Sequence, residues 1–295
     1  MSQPAHLDFG ERSLIIHEQL RGKVGVFNKM AIQTRDDLSI AYTPGVARPC
    51  EVIAQDPSAA RRLTLKANAV AVVTDGSAVL GLGNIGPLAA LPVMEGKAML
   101  FKQFANIDAW PICLDTQNPD EIIQTVRLIA PTFGGINLED IAAPQCFKIE
   151  AALQDLGIPV FHDDQHGTAI VLLAALINAS KVIDRPLESL KVVINGAGAA
   201  GTAIARLLRC VGHTESTCVP VAEIVVCDRK GAIHSGRTDL NAEKKALLGY
   251  TNEMKIAAAY ALAEAVTGLT ADRILPDPLD ASVAPRIAAA VAAAT

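Results

Sequence analysis

Leu190-Lys191-Val192-Val193-Ile194-Asn195-Gly196-Ala197-Gly198-Ala199-Ala200-Gly201 decides the reading of the fold. The β-branched run predicts a buried strand, and the glycines that follow predict a tight turn into a helix reaching Val211. A second strand over Ala222–Cys227 ends in Asp228. Gly196-x-Gly198-x-x-Gly201 alone is weak evidence, but strand, turn, helix and acid-tipped strand together describe a dinucleotide-binding unit. The glycines allow the tight turn and close approach of the backbone to a pyrophosphate, and the helix N-terminus aims its dipole at that charge. Candidate cofactor contacts are Asn195, Gly196, Gly198, Ala199, Ala200, Gly201 and Asp228. Asp228 would accept ribose hydroxyls, which suits NAD. Arg229 and Lys230 would receive a 2′-phosphate, which suits NADP, so both stay open.

Upstream the chain alternates in the same way. Residues 12–29 are expected to form a helix leading into a basic, glycine-containing loop, Arg21–Gly25, and another segment over Arg35–Tyr42 is closed by the turn Thr43-Pro44-Gly45. Strands are expected at Ala69–Thr74, Ala109–Leu114, Gly135–Leu138 and Pro159–Phe161. Helices are expected at Ala89–Phe104, Pro119–Ala130, Pro144–Leu156 and Gly167–Val182, and Ala-rich helices over 242–264 and 282–295. The alternation predicts an α/β protein built from parallel units.

Half of the 295 residues are hydrophobic and 19% are charged, which describes a well-buried globular chain. The net charge of −5 has no basic stripe, which speaks against nucleic acid. The start, Met1-Ser-Gln-Pro-Ala-His, lacks the pattern of a secretory signal, and no apolar run reaches membrane-spanning length. Six cysteines (50, 113, 146, 210, 218, 227) form no CxxC pair and read as reduced core thiols of a cytoplasmic protein.

Two carboxylate pairs, Glu139-Asp140 and Asp163-Asp164, each follow an apolar run. Buried carboxylates need a positive neighbour, and the flanking sequence supplies few. A hard divalent cation, Mg²⁺ or Mn²⁺, satisfies an all-oxygen set. Helix caps or turns are the alternative for either pair taken alone. Lys97 lies in the apolar Pro92–Phe101, where desolvation favours a neutral, basic amine. By itself such a lysine more often reaches solvent or pairs with Glu95, and Tyr42 by itself is more often a core residue. Gly81-Leu82-Gly83-Asn84-Ile85-Gly86 also spells G-x-G-x-x-G, but its helix opens with Pro87 and no acid follows at the right distance. It reads as a loop shaping a substrate pocket, or as a structural turn. Together these parts describe a metal-dependent, nicotinamide-linked oxidoreductase acting on a small oxyacid.

Ala41–Ala47, Val72–Gly76, Leu80–Pro87, Pro92–Lys97, Ile136–Pro144 and His162–Ala169 together resemble a bacterial malic enzyme. The resemblance runs from about residue 14 to residue 252. It implies oxidative decarboxylation of malate to pyruvate and CO₂ with NAD or NADP, and a homodimer or higher oligomer. Tyr42 matches the general acid and Lys97 the base. Glu139, Asp140 and Asp164 match the metal ligands, with Asp163 beside them. The implied organisation is a catalytic domain over 1–165, a Rossmann-like domain over 166–252, and a C-terminal helical segment over 253–295 that returns toward the catalytic domain.

Beyond Asn252 the resemblance changes. The family's Asn-Pro and Asn-Asn stretches are missing, and Glu253–Ala259 and Ile274–Asp280 resemble its C-terminal end. Leu190–Asn252 is 63 residues, where two βαβαβ halves need roughly 130. The expectation is an internal deletion at Asn252–Glu253 that leaves an incomplete Rossmann-like domain and impairs turnover. The alternatives are a catalytically dead remnant binding metal or nucleotide, or another metal-dependent hydroxyacid dehydrogenase.

Overall fold

A computed structural model describes residues 8–209, 221–234, 236–240, 244 and 253–293. Asn252, Cys210 and Cys218 lie outside the described residues, and with them the expected deletion junction. The chain forms two compact units, one of residues 1–137 with 154–160, the other of 138–153 with 161–295.

The first unit opens with three short helices, α1 (Phe9–Leu20), α2 (Arg35–Ala41) and α3 (Ala47–Gln55), and a single turn, α4 (Ala60–Leu63). Helix α1 ends at Leu20, where the expected basic loop begins, because Arg21 adopts left-handed φ (55°) and its N–H caps His17 O. A capping box starts α2. The Thr34 hydroxyl accepts from Asp37 N (3.1 Å), and Asp37 Oδ2 accepts from Thr34 N (2.9 Å).

Strand β1 (Ala69–Thr74) is followed by α5 (Pro87–Ala105) and β2 (Asp108–Cys113), which pairs in parallel with β1 from Ala69↔Asp108 to Thr74↔Cys113. Met94 and Ala98 of α5 pack on Val72 and Ala109. The βαβ unit follows from the sequence: an almost uniformly apolar strand suits a parallel sheet covered on both faces. Helix α6 (Pro119–Ile129) has Asn118 as its cap, Pro119 in its first turn, Asp120 and Glu121 at its positive end, and buries Ile122 and Val126. With β3 (Gly135–Leu138) and β4 (Val160–His162) the sheet order is β2-β1-β3-β4.

Helix α7 (Gln145–Ala152) lies in the second unit, as does α8 (Asp163–Val182), which begins four residues earlier than expected and takes Asp163 and Asp164 into its first turn. Then come β5 (Lys191–Asn195), α9 (Ala199–Leu208), β6 (Glu223–Asp228), the two-residue β7 (Gly231–Ala232), α10 (Glu253–Glu264) and α11 (Val283–Ala293). The sheet order is β5-β6-β7, with β5 and β6 parallel and β7 antiparallel to β6. Leu173, Ile177, Ile194, Ile204, Leu208 and Leu262 belong to one core, so α10 packs with α8, β5 and α9. Buried Asn178 of α8 fastens it there, donating to Ala263 O (2.8 Å) and Ile274 O (2.9 Å). The observed architecture is the α/β fold that the alternation predicts.

Candidate functional site

The second unit brings Glu139, Asp140 and Asp164 together: one carboxylate oxygen from each lies within 4.8 Å of the others. Glu139 and Asp140, just beyond the end of β3, are each 5% exposed. Asp140 takes the left-handed φ of 53°, which aspartate tolerates better than most residues, and its backbone N–H donates to Asp164 Oδ2 (2.8 Å). The positive φ therefore turns the chain so that one candidate ligand's amide holds another ligand's carboxylate. Asp164 is delivered from the first turn of α8, where the helix dipole favours its charge. Asp163, its neighbour, leaves on a different face of the helix. A Cβ at Gly167 would lie 2.3 Å from Asp163 Oδ1, so a glycine there makes room for that side chain.

Three clustered carboxylates, two of them buried, are mutually repulsive without a cation, and oxygen donors at this spacing suit a hard divalent ion. The donor set fits Mg²⁺ or Mn²⁺.

The residues behind this cluster carry no local sequence signal. His162 is fully buried, and neither ring nitrogen has a hydrogen-bond partner; Nδ1 stands 3.9 Å from Asp164 Oδ2. Burial pushes its pKa below the ordinary value, against the pull of Asp164. His166 Nε2 meets Glu150 Oε1 at 2.6 Å, a pairing across 16 residues that periodicity does not reveal. Burial pushes the Cys146 thiol up to about 12, so it stays an inert core thiol. Cys146 fits the expected reading as a core thiol, whereas Cys50 is exposed and does not.

In the same unit, the dinucleotide loop has the backbone its sequence promises. Gly196 sits at φ 128°, and its N–H donates to Cys227 O (3.0 Å). A Cβ at Gly201 would fall 1.8 Å from Gly196 O, so the third glycine is required by the close approach of α9 to the turn. Gly198 starts α9 without a side-chain cap, and Ala199 and Ala200 form its first turn. Asn195 ends β5.

Asp228 is placed at the tip of β6, as the sequence predicts, but its acceptors are already engaged. Arg237 holds both oxygens (2.9 and 3.2 Å), Lys244 Nζ donates to Oδ2 (2.6 Å), and Lys230 N donates to Oδ1 (2.9 Å). These contacts, Arg237 first, hold the carboxyl well below the usual carboxylate range. Arg237 also grips Asp239, which pairs with Lys230 Nζ (2.9 Å). Three cations, Lys230, Arg237 and Lys244, thus meet two carboxylates, a formal excess of one positive charge, and Arg229 is the next residue in the chain after Asp228.

Tyr42 and Lys97 belong to the first unit. Tyr42 follows α2 and is 67% exposed rather than buried in a core. The turn behind it is tight: Gly45 N donates to Ser39 O (2.8 Å), and a Cβ on Gly45 would meet that oxygen at 2.6 Å. Lys97 is half-buried on α5. Glu95, two residues away and on another face, accepts from Lys23 N (2.9 Å). The loop Gly81–Gly86 folds on itself, with Val79 bridging Gly83, while Gly76 O accepts from Ile85 N and Gly86 N (3.2 and 3.1 Å). Among the described residues no helix is long and apolar enough to cross a membrane.

Comparison with known proteins places these features. Residues 21–119 and 116–154 match the malic enzyme N-terminal domain, and residues 165–278 match the malic enzyme NAD binding domain. A relative named NAD-dependent malic enzyme, from Geobacillus stearothermophilus, is 58% identical over 79% of this chain and 47% of its own length. One named bifunctional malic/malolactic enzyme, from Bacillus subtilis, is 54% identical over 82% of this chain and 58% of its own. The solved structure of an NAD-dependent malic enzyme from Thermotoga maritima superposes with a TM-score of 0.87 at 34% identity, covering 98% of this chain and 100% of that one. The chain thus spans about half the length of the curated relatives it matches.

Proposed function

The chain belongs to the malic enzyme family, and on that premise we propose that its site oxidises and decarboxylates malate to pyruvate and CO₂, reducing a nicotinamide cofactor. The observation that carries the reading is the cluster of Glu139, Asp140 and Asp164 within 4.8 Å, two of them buried. Mg²⁺ or Mn²⁺ bound by these carboxylates would polarise the C2 oxygen of the substrate.

The chain's own groups divide the proton work. Lys97 would take the proton of the C2 hydroxyl, and a bound nicotinamide would supply the acceptor for the C2 hydrogen as hydride. Cleavage of the C3–C4 bond releases CO₂ and leaves an enol, and Tyr42 delivers the proton that C3 needs to become pyruvate. Gly196, Gly198 and Gly201 let the backbone approach the cofactor's pyrophosphate, beside the N-terminus of α9. Asp163 stands beside the cation ligands as a positioning residue.

Of the two cofactors, the ribose end favours NADP. A carboxylate offers about four acceptor positions, and those of Asp228 are filled by four donors. A ribose diol would have to displace one of them. The formal excess of positive charge, with Arg229 adjacent in the chain, instead suits a 2′-phosphate carrying about −1.5 to −2. The name of the Geobacillus relative points the other way, to NAD.

Among the described residues the nucleotide sheet has three strands, one of them two residues long, where a full dinucleotide fold has about six. Turnover should therefore be slow, since misplacing reacting groups by about 1 Å can lower a rate about a hundredfold. The test is nicotinamide reduction from malate with Mn²⁺, run with NADP and with NAD. Slow, metal-dependent turnover preferring NADP supports the reading. Rates equal to those of full-length relatives refute the impairment. Binding of metal and nucleotide with no turnover leaves the remnant reading in its place.

A further inference from the structure

Glu139 and Asp140 lie on the loop after β3, whereas Asp164 comes from the first turn of α8, so the three candidate ligands arrive on two separate pieces of chain. Something has to hold those pieces at one spacing. Asp140 N donating to Asp164 Oδ2 (2.8 Å) is one tie, but it occupies an acceptor of a ligand itself. A second tie lies away from the ligating atoms. Glu150 of α7 and His166 of α8 meet through Oε1 and Nε2 at 2.6 Å, with side chains only 14% and 12% exposed. A carboxylate only accepts, so Nε2 donates.

The place of this bond in the fold gives it a function. Only four residues, 141–144, separate Asp140 from α7, so a rotation of α7 carries the ligand turn with it. An eight-residue helix does not hold itself in water, and its direction is set by what it packs on. Its buried Cys146 and Ile149 make apolar contacts, which are non-directional and leave rotation loosely fixed. A short hydrogen bond to a charged group is directional and strong, and supplies what those contacts lack. On α8, His166 is two residues beyond Asp164 and leaves on a different face. It grips α7 and does not join the cluster of ligand oxygens, which includes neither His166 nor Glu150. Phe161 of β4 flanks the imidazole, with ring centroids 5.6 Å apart, and limits its swing.

We propose that Glu150 and His166 are positioning residues of the cation site: their bond locks α7 to α8 and holds the Glu139–Asp140 turn at the spacing from Asp164 that one divalent ion requires. This rests on the reading of Glu139, Asp140 and Asp164 as the ligands.

The test is titration of Mn²⁺ into the nucleotide-free full chain, followed by calorimetry and by the spin-resonance spectrum of the bound ion. Glu150→Ala and His166→Ala should each weaken binding by roughly 10–100-fold and alter the spectrum. The double variant should lose no more than the worse single one, because both break the same bond. Glu150→Gln keeps an acceptor for His166 and should bind within about fivefold of wild type, with the wild-type spectrum. A long-range charge effect behaves differently: both Glu150 variants would weaken binding alike, and His166→Ala would not weaken it. That pattern would overturn the proposal. So would lowered thermal melting with unchanged affinity and spectrum, the mark of a bond that serves the fold alone. Ile149→Val trims the buried face of α7 and keeps the bond, so it should lower melting and leave Mn²⁺ affinity unchanged. An equal loss of affinity there would assign the effect to general loosening and overturn the proposal. If Asp164→Asn abolishes Mn²⁺ binding while the Glu150 and His166 variants retain it, the ligands stand and the positioning role falls. A wild-type chain that binds no Mn²⁺ removes the ligand reading, and the proposal with it.

Discussion

Strands β1 and β5 hold corresponding places: each is an apolar strand that leads into a glycine-containing turn and a helix. Five of six residues of β1 are buried, because β2 and β3 flank it and α5 covers it. Of the five residues of β5 only Ile194 is buried, and Val193 is 68% exposed. Among the described residues β5 has a neighbour on one side alone. In a complete dinucleotide fold the equivalent strand is central, with sheet on both sides and helices on both faces. The difference teaches that β1 is flanked and covered, whereas among the described residues β5 keeps its glycine turn with little of a layer around it.

The largest effect separating the two units should be catalytic. Lys97→Met removes the proposed proton acceptor, carried by the first unit, and should lower kcat by about 10²–10⁴-fold from whatever rate the intact chain shows. Mn²⁺ binding in the other unit should not change. An unaltered kcat would remove Lys97 from the reaction.

The strands themselves can be compared by deletion of the same two methyl groups. Val72→Ala in β1 should destabilise by about 2–3 kcal/mol, from lost burial plus a residual cavity. Val193→Ala in β5 should stay within about 0.5 kcal/mol, as at an exposed site. Denaturant unfolding gives both values, and equal costs would mean that β5 is covered after all.

A smaller effect is expected at the tip of β6. Lys230→Ala should raise KM for NADP by about three- to tenfold, since the lysine is exposed and screened, and leave KM for NAD unchanged. An equal change for both cofactors would detach this cluster from the 2′-phosphate.

Much of this contrast was legible in the sequence. The strand ending at Asn195 and the glycines at 196, 198 and 201 announced the turn, because only glycine fits where a Cβ would meet Gly196 O at 1.8 Å. The carboxylates at 139, 140 and 164 were legible as chemistry, since acids after apolar runs call for a counter-charge. Their assembly was not, because it depends on the positive φ of Asp140 and on its N–H reaching Asp164 across 24 positions. The saturation of Asp228 was hidden for the same reason: Arg237 and Lys244 lie 9 and 16 residues away in the sequence. Nothing local announced the Glu150–His166 pair either. Tyr42 misled in the other direction. An aromatic beside a rigid turn suggests a core, and its exposure became visible only once α1 to α3 were seen to bury nothing.

The smallest predicted effect is a pH dependence at the same tip. Asp228 has a folded pKa depressed below its unfolded value of about 3.9. Its contribution to stability is therefore fully present above the unfolded pKa and is lost as pH falls toward the folded one. The stability difference between wild type and Asp228→Asn should be constant above about pH 5 and shrink below about pH 4. A difference that grows on acidification would show that the carboxylate is not held ionised by Arg237 and Lys244.

The central proposal is that Glu139, Asp140 and Asp164 hold one divalent cation, although the nucleotide sheet has three strands among the described residues. Calorimetric titration of Mn²⁺ into the nucleotide-free chain and into Asp164→Asn tests it most directly. The account predicts one Mn²⁺ per wild-type chain, with affinity falling by at least about a hundredfold in the variant. No Mn²⁺ binding by the wild-type chain, or binding that survives the substitution unchanged, would contradict it.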